Sequence, residues 1–140
     1  MPENNYVLES KGFTVFFGAD TMLIPELSEV PKRFPRIDVA LLAVNGLMIR
    51  PMLNRKVVMN AKEASELSAI LRARYAVPIH YRFTAGPIRD RLLLKYDGTP
   101  EEFAREAAAQ APETEVRILA PGEPLRITLN GSPGSRPTSA

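Results

Sequence analysis

The segment 37–80 most constrains what this chain can become, because it writes a strand, a helix and a second strand in succession. "IDVALLAV" at 37–44 is almost wholly apolar with β-branched members, which suits a strand covered on both faces. Asn45-Gly46 marks its end. In "NAKEASELSAILRAR", Asn60 is a helix N-cap with Glu63 three residues on, and Ala64, Leu67, Ile70 and Leu71 share one face. The helix feeds "YAVPIHY" at 75–81, a short strand in which Pro78 predicts an edge position or a strand end. Such a succession packs helices on a sheet, so the fold class is α/β in the broad sense (α+β).

The flanks extend this plan. "YVLES" and "FTVFFG" are apolar and aromatic runs around Lys11-Gly12, which predicts a hairpin with a tight turn. Prolines at 25, 31 and 35 break the next stretch into short turns or one brief helix. A second helix starts where Thr99 caps, Pro100 takes the first position and Glu102 completes a capping box. Phe103, Ala104, Ala107, Ala108 and Ala111 give it an apolar face before Pro112. "EVRILAPGEPLRITL" predicts two strands around a Pro-Gly turn. One domain is expected over 1–129, with 130–140 as a disordered tail by composition.

Composition enters as a set of exclusions. Cysteine is absent, which removes thiolate catalysis, disulfides and every Cys-containing zinc site. The net charge is only +2 and the arginines are dispersed, so no nucleic-acid partner is expected. No apolar run reaches the roughly 18 residues of a membrane span, and "MPENNYVLES" has no secretory pattern. A cytoplasmic protein with no membrane partner is the default expectation.

Two residues could carry chemistry. Asp20 follows the apolar run "FTVFFGA", and His80, the only histidine, ends "AVPIH". Both stand where a strand gives way to a loop, from which a rigid sheet can aim side chains at one point. On residue type alone, an Asp after such a run is most often a turn or cap residue, and a lone His near apolar neighbours is more often a satisfied core residue than a ligand. Asp38 is a further carboxylate, though it begins a strand and has no reason to converge on the other two. "RFTAGPIRDRLLLKYDGTP" is basic, either to meet an anionic substrate or as a solvated connector.

Four stretches in order carry a resemblance: "GFTVFFGADT" is similar to a strand ending in G-G-D-T, "RIDVALLAVNG" to the strand that follows it, "MNAKEASELSAIL" to a helix, and "YAVPIHY" to a last strand ending in P-x-H. Through them residues 6–127 resemble the C-terminal half of a metallo-β-lactamase-fold hydrolase, nearest the ascorbate-6-phosphate lactonase-like branch. The resemblance implies half of a four-layer α/β/β/α sandwich, one mixed sheet with helices on one face. It implies that Asp20 is the carboxylate bridging two divalent metal ions, zinc or manganese, and that His80 ligates the second. A metal-bridging hydroxide would then attack a small ester, lactone or phosphoester. Thr21 is implied to orient Asp20 with its hydroxyl, and Asn45, at a strand end, to contact substrate.

The chain departs from that family in what it lacks. The family's first half carries H-x-H-x-D-H and a further histidine, whereas this chain has one histidine and only 19 residues before Asp20. Two ligands do not hold a dinuclear site, so the chain alone is expected to bind no metal stably and to be inactive. The exposed sheet face is expected to receive a missing N-terminal half or to self-associate. A different class of reading is a non-catalytic half-fold module that dimerises or binds a partner, with Asp20 and His80 as relics.

Overall fold

A computed structural model describes residues 4–50, 55–81, 86, 90 and 92–127. The expected hairpin forms from β1 (Tyr6–Ser10) and β2 (Phe13–Phe17), paired antiparallel from Tyr6↔Phe17 to Ser10↔Phe13. Lys11 and Gly12 both take positive φ, 49° and 76°, the backbone that two-residue hairpin turns require. The proline-rich stretch becomes a 3-10 turn (Pro25–Glu29) running into a single-turn helix α1 (Val30–Arg33). Each carries a proline in its first turn, where the missing N–H costs nothing.

Next come β3 (Val39–Ala43), the two-residue strands β4 (Met48–Ile49) and β5 (Arg55–Lys56), helix α2 (Ala61–Leu71) and β6 (Tyr75–Ile79). The chain continues through β7 (Leu94–Lys95), helix α3 (Pro100–Gln110) and β8 (Glu115–Val116). The main sheet has the order β1-β2-β3-β6-β8, with β1 antiparallel and the others parallel, a mixed sheet. Both capping boxes form: Glu63 N–H donates to Asn60 Oδ1 (3.1 Å) and Glu102 N–H to Thr99 Oγ1 (3.2 Å), with the reciprocal bonds at 3.0 Å.

Register decides what faces the helices. Phe16, Ala40 and Ala76 lie side by side across β2, β3 and β6, and join Leu67, Leu71, Phe103 and Ala107 in the core. Phe16 and Phe103 have no exposed surface, and truncating either to Ala would cost about 3–5 kcal/mol. The alternate residues point the other way: Val15, Val39 and Tyr75 in one row, Phe17, Leu41 and Val77 in the next. None of them belongs to the core cluster, and Tyr6 and Leu8 beside them are 53% and 61% exposed. Val39 and Val77 are themselves buried, while Val15, Phe17, Leu41 and Tyr75 are half-buried, so the helices cover one face of the sheet and leave the other apolar and partly exposed.

Several local expectations change. β3 is shorter than 37–44 because Asp38 is spent at its start: buried, it accepts from Thr14 N–H (2.9 Å) and from Arg36 Nε (2.8 Å). Pro78 sits near the end of a strand that is interior only at its beginning, since β8 pairs with Tyr75 and Ala76 alone. Proline's missing donor thus falls where the ladder on that side has ended. The Pro121-Gly122 turn forms, with Glu123 N–H donating to Ala120 C=O (2.9 Å), but no strand follows within 123–127. On α3, Ala108 is exposed, so its buried face is narrower than the alanine pattern suggests.

A three-stranded sheet in the order β5-β4-β7 is an addition that two-residue strands could not announce. It sits beside a tight crossing: a Cβ at Gly98 would lie 2.0 Å from the Val44 carbonyl oxygen, and one at Gly46 2.5 Å from that of Asp97. Only glycine permits this approach. The tail at 130–140 lies outside the described residues. Among the described residues no helix is long and apolar enough to cross a membrane.

Candidate metal centre

β2 and β6 flank β3 and run parallel to it, so their C-terminal ends emerge on the same edge of the sheet. Beyond β2, Gly18 N–H continues the ladder to Leu41 C=O (2.9 Å) and Thr21 N–H turns back to Gly18 C=O (3.1 Å). Between them Ala19 is left-handed, with φ 46°, which turns the chain sharply and throws Asp20 toward β6. At the end of β6, His80 is also left-handed, with φ 55°. Neither residue is glycine, and such backbone is held only where the surroundings impose it.

The two side chains meet. His80 Nε2 lies 3.4 Å from Asp20 Oδ1, with the histidine side chain 30% exposed and the carboxylate 65% exposed. They line an open cavity of about 310 Å³ with Asn4, Phe17, Ala19 and Ile79. Phe17 belongs to the uncovered face of the sheet, so the pair stands at the rim of the surface that the helices leave bare. His80 Nδ1 is buried without a hydrogen-bond partner among the described residues.

The donor set can be tested against a divalent ion. Two ligands on one tetrahedral zinc, each about 2.0–2.2 Å from it, are separated by about 3.3–3.5 Å. Asp20 and His80 stand at that spacing, so they fit one edge of a coordination sphere. No group of three or more His, Cys, Asp or Glu that could hold an ion occurs among the described residues. The fit is thus to part of a site and not to a whole one.

The other expected residues do different work. Thr21 is buried, and its hydroxyl donates to Asn5 Oδ1 at 2.7 Å, tying the segment before β1 to the loop after β2. Asn45 is 1% exposed and its Oδ1 accepts from Leu47 N–H (3.3 Å), which shapes the turn after β3. Asp38 lies at the opposite end of the sheet from the pair, on Thr14 and Arg36, and is no part of it. Of the basic stretch from Arg82, residues 82–85, 87–89 and 91 lie outside the described residues. Sequence reasoning missed Asn5 and the left-handed Ala19. Only the second had a signal, since Ala19 stands where the G-G-D-T pattern has a glycine.

Comparison with known proteins gives the chain's family and fold relatives. A family described as the beta-lactamase superfamily domain matches residues 5–81. A UPF0173 metal-dependent hydrolase of Anaeromyxobacter sp. (strain K) is 32% identical over 122 residues, 86% of this chain and 36% of the relative. A similarly described protein of Rubrobacter xylanophilus is 31% identical, over 86% of this chain and 42% of its own length. The chain therefore spans less than half the length of these relatives. Among solved structures, a metallo hydrolase of Ignicoccus hospitalis superposes with a TM-score of 0.63 at 24% identity, over 85% of this chain and 43% of that one. A metallo-beta-lactamase fold protein of Bacillus subtilis superposes with a TM-score of 0.55 at 17% identity, over 82% of this chain and 40% of that one.

Proposed function

From the premise that this chain belongs to the beta-lactamase superfamily, which the match over residues 5–81 establishes, we propose that it carries one edge of the metal site of a metal-dependent hydrolase. The observation that carries the reading is the 3.4 Å approach of Asp20 Oδ1 and His80 Nε2 at the common end of β2 and β6. When bound, a divalent cation such as zinc or manganese supplies Lewis-acid chemistry, acidifying water and polarising the oxygen of an ester, lactone or phosphoester. Asp20 contributes charge, and His80 contributes a neutral nitrogen whose direction is set by its left-handed backbone.

The remaining donors come from a layer that packs on the open face, since the pair sits on that face's rim. A second copy would bring one more histidine only, which favours a segment with its own histidines, such as the rest of the relatives' length. The names of those relatives, metal-dependent hydrolases, support the same reading. By itself the chain is expected to be inactive, because two donors do not complete a hydrolytic site.

The test uses the single histidine, whose ring Cε1–H and Cδ2–H signals need no residue assignment. Zinc is titrated into the full chain, by calorimetry and by the His80 resonance together. Weak binding of one zinc, lost in both Asp20→Asn and His80→Ala, is the expected result. Binding that survives both substitutions unchanged would refute the site.

A further inference from the structure

His80 borders two depressions at once. One is the cavity it shares with Asp20; the other, of about 440 Å³, runs from His80 along Tyr81, Ile118, Leu119, Ala120 and Pro121. That size falls within the range of small-molecule sites. Apart from the histidine ring and the tyrosine hydroxyl, its side chains are apolar, the Tyr81 ring and four aliphatic groups, and Ile118 is 43% exposed.

The wall is built and not slack. Tyr81 Oη donates to Leu119 C=O (2.8 Å), fastening the segment beyond β8 to the end of β6. Ala120 N–H donates to Glu123 Oε2 (2.9 Å), and Glu123 N–H returns to Ala120 C=O (2.9 Å), closing the Pro121-Gly122 turn. The tyrosine hydroxyl is thereby occupied by the wall itself, which leaves an apolar surface facing outward. An apolar groove that starts at one member of a reactive pair suits the non-reacting part of a substrate, whose burial holds the scissile bond in place.

We infer that this groove seats an aryl or medium-length alkyl substituent of the substrate, with the hydrolysable bond toward Asp20 and His80. The inference rests on the hydrolase reading above and narrows it to esters or phosphoesters bearing an apolar group.

Methyl and aromatic NMR of the full chain tests it without metal. Benzyl alcohol is the probe and methanol the control that lacks the ring. Resonances of Ile118, Leu119, Ala120 and Tyr81 are expected to shift and saturate with benzyl alcohol, at a concentration about tenfold or more below that for methanol. The surface substitutions Ala120→Trp, which fills the groove, and Ile118→Asp, which makes it polar, should each weaken binding by about tenfold. Equal response to the two alcohols, or shifts confined to Leu8 and Leu41 on the open sheet face, would overturn the inference. Zinc binding that needs Asp20 and His80 while the groove signals stay silent overturns this inference alone. A saturating groove in a chain whose zinc binding ignores both residues overturns the hydrolase reading.

Discussion

Replacing Ala19 by glycine should stabilise this protein, against the usual sense of putting glycine into a chain. Ala19 holds φ at 46°, where an L-residue sets its Cβ against its own carbonyl at a cost of about 1–2 kcal/mol. Glycine removes that cost but frees the unfolded chain by about 0.4–1 kcal/mol. The difference is a net gain of roughly 0.5–1 kcal/mol, or about 2–3 °C in the unfolding midpoint for a chain of this size. Thermal and urea unfolding of Ala19→Gly beside the parent would read it, at one protein concentration because association also moves midpoints. Ala19→Val is the opposing control, since a β-branched residue tolerates positive φ worst, and it should lower the midpoint. A midpoint for the glycine variant at or below the parent's would refute the claim that the turn before Asp20 is strained.

Further outcomes follow from other contacts. Gly98→Ala drives a Cβ to 2.0 Å from the Val44 carbonyl oxygen and should cost about 3 kcal/mol or more in urea unfolding, because backbone must move on both sides. Asp38→Asn leaves the Thr14 N–H and the Arg36 guanidinium with a weaker acceptor and should lose about 1–3 kcal/mol by the same assay. Burial, with the Asp90 carboxylate adding to it, raises the Tyr96 phenol above its ordinary value of 10.0. The fold therefore favours its neutral form, so the stability it adds is present below pH 10 and is lost as pH rises past it. Tyr96→Phe should flatten the alkaline limb of stability against pH.

What could be read in advance was chemistry that acts over a few residues. Asn60 with Glu63 and Thr99 with Glu102 form their boxes because donor and acceptor lie within one helical turn. Lys11-Gly12 turns the hairpin for a similarly local reason. Asp20 and His80, 60 residues apart in number, were paired through resemblance, and the sheet brings them to 3.4 Å. What could not be read in advance was any contact that a distant partner decides. Nothing near Thr21 says that its hydroxyl will go to Asn5, and nothing near Asn45 says that the loop holding Asp97 will bury it. β4, β5 and β7 have two residues each, too few for an alternation to show.

β3 contributes no donor, yet it sets the gap between the two that matter. It lies between β2 and β6, so their backbones stand about 9–10 Å apart and the side chains must lean over its end to meet. The left-handed turns at Ala19 and His80 provide that lean. The spacing of the pair is thus a dimension of one rigid body, settled before anything docks. On the proposed reading, a layer that docks would have only to seat itself once against this ruler, rather than gather two loose loops, and the entropy lost at assembly would be that of a single docking event. If Asp20 and His80 hold an ion as proposed, changes in β3 would mis-set the gauge and would be felt as lost affinity for that ion.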